Sequence, residues 1–90
     1  MQIRKITMFI LKTCPYCRQA LRMMDDLYAE NPAYRSLEIE MVDELENRGF
    51  ADKFDYKLVP SFYMDGKKLH EGAADHNKIR RVFDAALRGG

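Results

Sequence analysis

Ninety residues are room for one domain, long enough to bury a core without the disulfide or metal staples needed below about 40 residues. Apolar residues make up 47% and charged residues 32%, and 15 basic against 14 acidic side chains leave a formal net charge of +1. That balance argues against a nucleic-acid binder and a polybasic membrane anchor. No apolar run nears the roughly 20 residues of a membrane span, and Met1-Gln2-Ile3-Arg4-Lys5-Ile6 has no secretory apolar core. A cytoplasmic location is expected, with no nucleic-acid or membrane partner. Two cysteines are too few for a disulfide scaffold.

Residues 1–90 read as one unit without repeats or linkers. Ile3 to Leu11 is predicted as the first strand, with apolar residues on both faces towards its end, as in a covered interior strand. The chain turns at Lys12-Thr13-Cys14-Pro15. Pro15 suits the first helical position, where its missing N–H is no loss. Cys17, Ala20, Leu21, Met24, Leu27 and Tyr28 then form one helical stripe. Asn31-Pro32 ends that helix.

Leu37 to Met41 alternates as a second strand, continued by Val42. Asp43 is predicted to cap a short helix to about Phe54, with Leu45, Phe50, Ala51 and Phe54 inward. Gly49 weakens it by about 1 kcal/mol relative to Ala. Leu58 to Met64 and Lys67 to Glu71 read as strands joined by Asp65-Gly66, a strong hairpin signal. A last helix starts near Asp75, with Ile79, Val82, Phe83, Ala86 and Leu87 as its stripe and Gly89 as its stop. The order β-α-β-α-β-β-α predicts an α/β fold: a four-stranded mixed sheet flanked by three helices, its first two strands parallel. Met8, Met23, Met24, Met41 and Met64 are expected in the core. Asp25, Asp26, Arg80 and Arg81 are expected on solvated helix faces.

Cys14-Pro15-Tyr16-Cys17 stands where the first strand hands over to the first helix. Thiol–disulfide exchange needs a thiolate. The free N–H groups of a helix start and the helix dipole both favour one. Cys14, at the cap, is expected to accept from the N–H of Tyr16 or Cys17, with Lys12 adding charge. Its pKa is expected below the free value of about 8.5, within the roughly 3.5–7.5 of such motifs. Cys17, one turn on, is expected to be buried and protonated. Cys14 would attack a substrate disulfide, and Cys17 would resolve the mixed disulfide. Half of a zinc site is the alternative, but only His70, His76 and carboxylates remain as ligands, and the histidines are not spaced as a pair. Two chance buried cysteines are the other. The proline in the motif and its placement favour redox chemistry, with no metal bound.

The chain resembles the glutaredoxins, within the thioredoxin fold. Cys-Pro-Tyr-Cys is that family's usual active site, and length and element order match over nearly the whole chain. Val59-Pro60 looks like the family's Val-Pro pair, whose cis proline faces the cysteines, and Val59 would pair with a substrate backbone. Gly72-Ala73-Ala74-Asp75 looks like the family's Gly-Gly-x-Asp turn. The resemblance implies that Ala74, Asp75 and the helix start bind the γ-glutamyl end of glutathione. Asp75 has an alternative as a plain helix cap.

Three positions depart from the pattern. A basic residue usually lies three before the first cysteine; here it is Leu11, with Lys12 one closer. Threonine usually precedes Val-Pro; here it is Leu58, preceded by Lys57. The second glycine of the turn is Ala73. Lys12 and Lys57 would meet the glycine carboxylate of glutathione, and Tyr16 would lie beside the thiolate.

The resemblance implies an enzyme, a dithiol glutaredoxin. It would reduce protein disulfides and glutathione mixed disulfides, with glutathione as co-substrate and no bound cofactor. The departures motivate an alternative, recharging by a flavoprotein thioredoxin reductase without glutathione. A third reading is a metal or iron–sulfur carrier, whose sites usually lack either the proline or the second cysteine. A monomer is expected.

Overall fold

The computed structural model describes residues 5–89. Its elements are β1 (Lys5–Ile10), α1 (Pro15–Glu30), a 3-10 turn (Pro32–Ser36), β2 (Glu38–Asp43), α2 (Arg48–Ala51), β3 (Ser61–Met64), β4 (Lys67–Glu71) and α3 (His76–Leu87). The start of the predicted first strand, at Ile3 and Arg4, lies outside the described residues. The sheet order is β2-β1-β3-β4. β1 runs parallel to β2 and antiparallel to β3, and β3 runs antiparallel to β4.

Side-chain alternation along β1 divides the core in two. Ile6, Met8 and Ile10 face α1 and α3, where they meet Cys17, Ala20, Met24, Leu27, Ile79, Val82, Phe83 and Ala86. Phe9 faces the other way, into Val42, Ala51 and Tyr63. Phe54 and Tyr56 close on it with ring centroids 4.7 and 4.8 Å from Phe9. Burying a side chain such as Phe9 contributes about 1.5–3 kcal/mol.

α1 and α3 begin and end as their sequences dictate. Pro15 occupies the first turn of α1, and the Asn31 side chain accepts the Ala33 N–H at 3.1 Å to start the 3-10 turn. Two of the residues expected on solvated faces lie at the surface and also cross-link the helices there. Asp26 meets His76 at 2.9 Å, and Arg80 meets Glu30 at 2.9 Å. The hairpin at Asp65-Gly66 has φ of 52° and 78°, the paired positive values of a type I′ turn.

The segment after β2 departs from expectation. Asp43 ends β2 and does not cap a helix; its carboxylate accepts the Leu45 N–H at 2.9 Å and the Lys12 N–H at 3.1 Å. α2 is a single turn, too short for an inward stripe. Ala51 is buried, but Leu45 and Phe50 are 57% and 40% exposed. Met41, expected in the core, is also exposed, because β2 is an edge strand with an open outer face. β3 begins at Ser61, three residues later than predicted, and Leu58 is 61% exposed. Pro60 has no N–H to offer a ladder, and the Ser61 hydroxyl bonds back to the Leu58 carbonyl instead.

Candidate active site

The strand register brings three loops to one end of the sheet. The end of β1 lies beside the start of β3, with Phe9 opposite Ser61, and Ser61 faces Glu71 at the end of β4. The cysteine loop, the Val59-Pro60 loop and the turn before α3 therefore meet. Cys14, Val59 and Ala74 pack partly buried against the same core cluster. Val59-Pro60 is cis, Pro60 is buried, and the Pro60 carbonyl accepts the Gly72 N–H at 2.8 Å. Among the described residues, the backbone N–H and C=O of Val59 have no hydrogen-bond partner.

Cys14 is the cap of α1, and both cysteines are free thiols. Cys14 closes no side-chain cap bond as a thiol. Its thiolate, a far better acceptor, gains from the same surroundings. The Cys17 N–H foremost holds the Cys14 thiol below the ordinary cysteine range. Burial opposes this, while the Tyr16 N–H, the Cys17 thiol and the Arg18 charge add to it. Cys17 is 1% exposed, and its thiol is pushed up to about 11. Burial is the main cause, opposed by the Leu11 N–H and helped by the charge and hydrogen bond of Cys14 and by the Glu44 charge. One turn of helix thus holds an acidic, accessible sulfur and a protonated, buried one.

The remaining candidates divide. Tyr16 stands 54% exposed beside Cys14. The cation acting on Cys14 is Arg18, while the Lys12 ammonium lies 2.6 Å from Glu46. Glu46 raises the Lys12 pKa. Lys57 is exposed, and its backbone N–H reaches Glu71. Asp75 caps α3 by accepting the Lys78 N–H at 2.8 Å, which lowers its pKa. Gly72 has φ of 94°, a value that favours glycine, whereas Ala73 stays out of that region. His70 and His76 turn elsewhere, His70 towards the Gly72 carbonyl and His76 towards Asp26.

Sequence reasoning missed Glu71. One of its carboxylate oxygens accepts the N–H groups of Lys57 and Leu58 at 2.7 and 3.0 Å; the other lies 2.6 Å from Lys68 Nζ. Lys68 first, then these two N–H groups, bring the Glu71 pKa down to about 2. The signal was a lone acid at a strand end, and its partners lie 13 and 14 residues back.

A four-stranded α/β fold that offers one acidic and one buried thiol at a helix start defines a thiol–disulfide oxidoreductase. Comparison with known proteins gives the family. The Thioredoxin domain family matches residues 4–84. A curated relative named Glutaredoxin 1, from Rickettsia conorii, is 30% identical over 88 residues, covering 97% of this chain and 76% of that protein. The thioredoxin of Fasciola hepatica superposes with a TM-score of 0.67 at 25% identity, covering 91% of this chain and 79% of that one. A Plasmodium falciparum thioredoxin superposes with a TM-score of 0.71 at 17% identity, covering 93% and 83%. The chain belongs to the Thioredoxin domain family, and its fold is thioredoxin-like.

Proposed function

We propose that this protein reduces disulfides by a two-thiol mechanism. The Cys14 thiolate attacks one sulfur of a substrate disulfide, and the other sulfur leaves as a thiolate. Cys17 then gives up its proton and attacks the Cys14 sulfur. The second substrate sulfur is released, and the Cys14–Cys17 disulfide remains. Two electrons pass to the substrate. The observation that carries this reading is the split between an accessible, acidic Cys14 and a buried, protonated Cys17 on one helical turn. Val59, Pro60 and Tyr16 would line the approach, with the free Val59 backbone pairing with a polypeptide substrate.

Reduction by glutathione is one way to recharge the pair, in line with the relative named Glutaredoxin 1. Lys12, Lys57, Ala74 and Asp75 would then bind glutathione. A second reading, recharging by a thioredoxin reductase, is favoured by how those groups are engaged. Lys12 is paired with Glu46, and the Asp75 carboxylate is used as a helix cap.

The test is steady-state reduction of a mixed disulfide and of a protein disulfide with NADPH. One arm adds glutathione and glutathione reductase, and the other adds thioredoxin reductase alone. Turnover in either arm, lost in Cys14→Ser, is expected. Absence of turnover in both arms would overturn the proposal.

A further inference from the structure

We infer that Glu71 is a specificity-determining residue that selects against thiols carrying a carboxylate next to the reacting cysteine. The inference rests on the dithiol-reductase reading, and not on which donor recharges it. It concerns the backbone just before Val59. Successive N–H groups that converge on one point form an anion site. The N–H groups of Lys57 and Leu58 do so, and the anion already there is the protein's own Glu71. Lys68 holds the second oxygen, so the carboxylate is anchored at three points. β4 is aligned for this, because Glu71 pairs with Ser61, the residue after Pro60.

The site lies where a substrate passes. A substrate cysteine that pairs antiparallel with the free Val59 backbone would place its next residue about 3.8 Å further along, level with Leu58. Leu58 itself is exposed. A polypeptide presents a neutral peptide group at that level. A short thiol such as glutathione presents a carboxylate one residue from its cysteine. That carboxylate finds its donors taken and meets a like charge. Glu71 therefore favours polypeptide disulfides over small carboxylate-bearing ones. Lys68, which offsets the Glu71 charge, sets how strongly.

The experiment compares two small mixed disulfides that differ at one group. One carries glutathione, and the other carries glutathione with its glycine carboxylate converted to the carboxamide. The readout is the ratio of their KM values, in which any general loss of folded enzyme cancels. The wild-type protein is expected to show a lower KM for the carboxamide, by about three- to fivefold, the size typical of partly exposed charge pairs. Glu71→Gln keeps an oxygen for the two N–H groups and loses the charge, and is expected to bring the ratio towards one. Lys68→Met removes the counter-charge at an exposed site and is expected to widen the ratio. Equal KM values in the wild type, or a ratio that neither variant moves, would overturn the inference. Turnover of neither small probe and of no protein disulfide would overturn the dithiol-reductase reading, and this inference with it.

Discussion

The two loops that flank the candidate site are held by the same device, used differently. Each is tied by a carboxylate from the end of an edge strand, Asp43 on β2 and Glu71 on β4. Asp43 is 7% exposed and splits its oxygens between two segments, Lys12 in the cysteine loop and Leu45 in the next turn. Burial pushes its carboxyl up, but the N–H groups of Leu45, Lys12 and Glu46 together outweigh it and leave the pKa lowered. Glu71 is more open and gives one oxygen to two adjacent N–H groups and the other to a lysine. The buried tie joins two pieces of the framework behind the sulfur. The open tie lies beside Val59, where the proposed substrate would pass.

Breaking the chemistry has the largest expected effect. Cys14→Ser is expected to lose all turnover. Cys17→Ser is expected to keep reducing glutathione mixed disulfides, which need one thiol, and to accumulate covalent adducts with protein disulfides. Intact-mass measurement would detect the adducts, and a Cys17→Ser protein that turns over protein disulfides normally would refute the resolving role. A second effect concerns labelling. At pH 7, iodoacetamide is expected to modify Cys14 faster than Cys17 by roughly tenfold or more, because thiolate fraction and access both favour it. Peptide mapping over time checks the order.

The two ties are then expected to separate on heating. Asp43→Ala leaves the Lys12 and Leu45 N–H groups unpaired in partly buried surroundings. It is expected to lower Tm more than Glu71→Ala, whose freed N–H groups lie at an exposed site and can bind water. Thermal unfolding by circular dichroism measures both, and equal losses would mean that burial does not distinguish the ties.

The smallest effect is on acid stability. The folded pKa of Glu71, about 2, lies below the ordinary 4.5, so its contribution is fully present above pH 4.5 and is lost as pH falls through 2. Glu71→Gln is expected to flatten the stability profile across that window, as measured by urea unfolding at several pH values. An unchanged slope would show that the contacts of Glu71 with Lys68 and with the Lys57 and Leu58 N–H groups do not persist in solution.

These ties also mark where the chain could be read and where it could not. Pro15 and the stripe from Cys17 to Leu27 state α1 locally, and Asp75 states the start of α3 three residues from its partner Lys78. Asp65-Gly66 states its own turn. Asp43 looks like a helix cap because it stands two residues before Leu45, while its distant partner, the Lys12 N–H, is 31 residues away. Glu71 gave no sign because its partners in the Lys57-Leu58 loop are backbone N–H groups, which every residue type but proline carries. Lys12 was read for its nearness to Cys14, but the length of its side chain carries the charge to Glu46. Leu58 looked like the first core residue of a strand, and the ladder begins only after Pro60. Contacts between residues near in sequence were legible, as was the parallel course of the first two strands, and the side-chain-to-backbone ties of Asp43 and Glu71 between distant segments were not.

The opposed acidities of Cys14 and Cys17 also imply a timing rule. Part of what keeps the proton on Cys17 is the charge and hydrogen bond of Cys14 itself. When a substrate sulfur bonds to Cys14, that charge is gone, and Cys17 becomes a stronger acid at that moment. On the proposed two-thiol mechanism, the second thiol would be held back until the first has been used, and the mixed disulfide would itself favour the step that ends it.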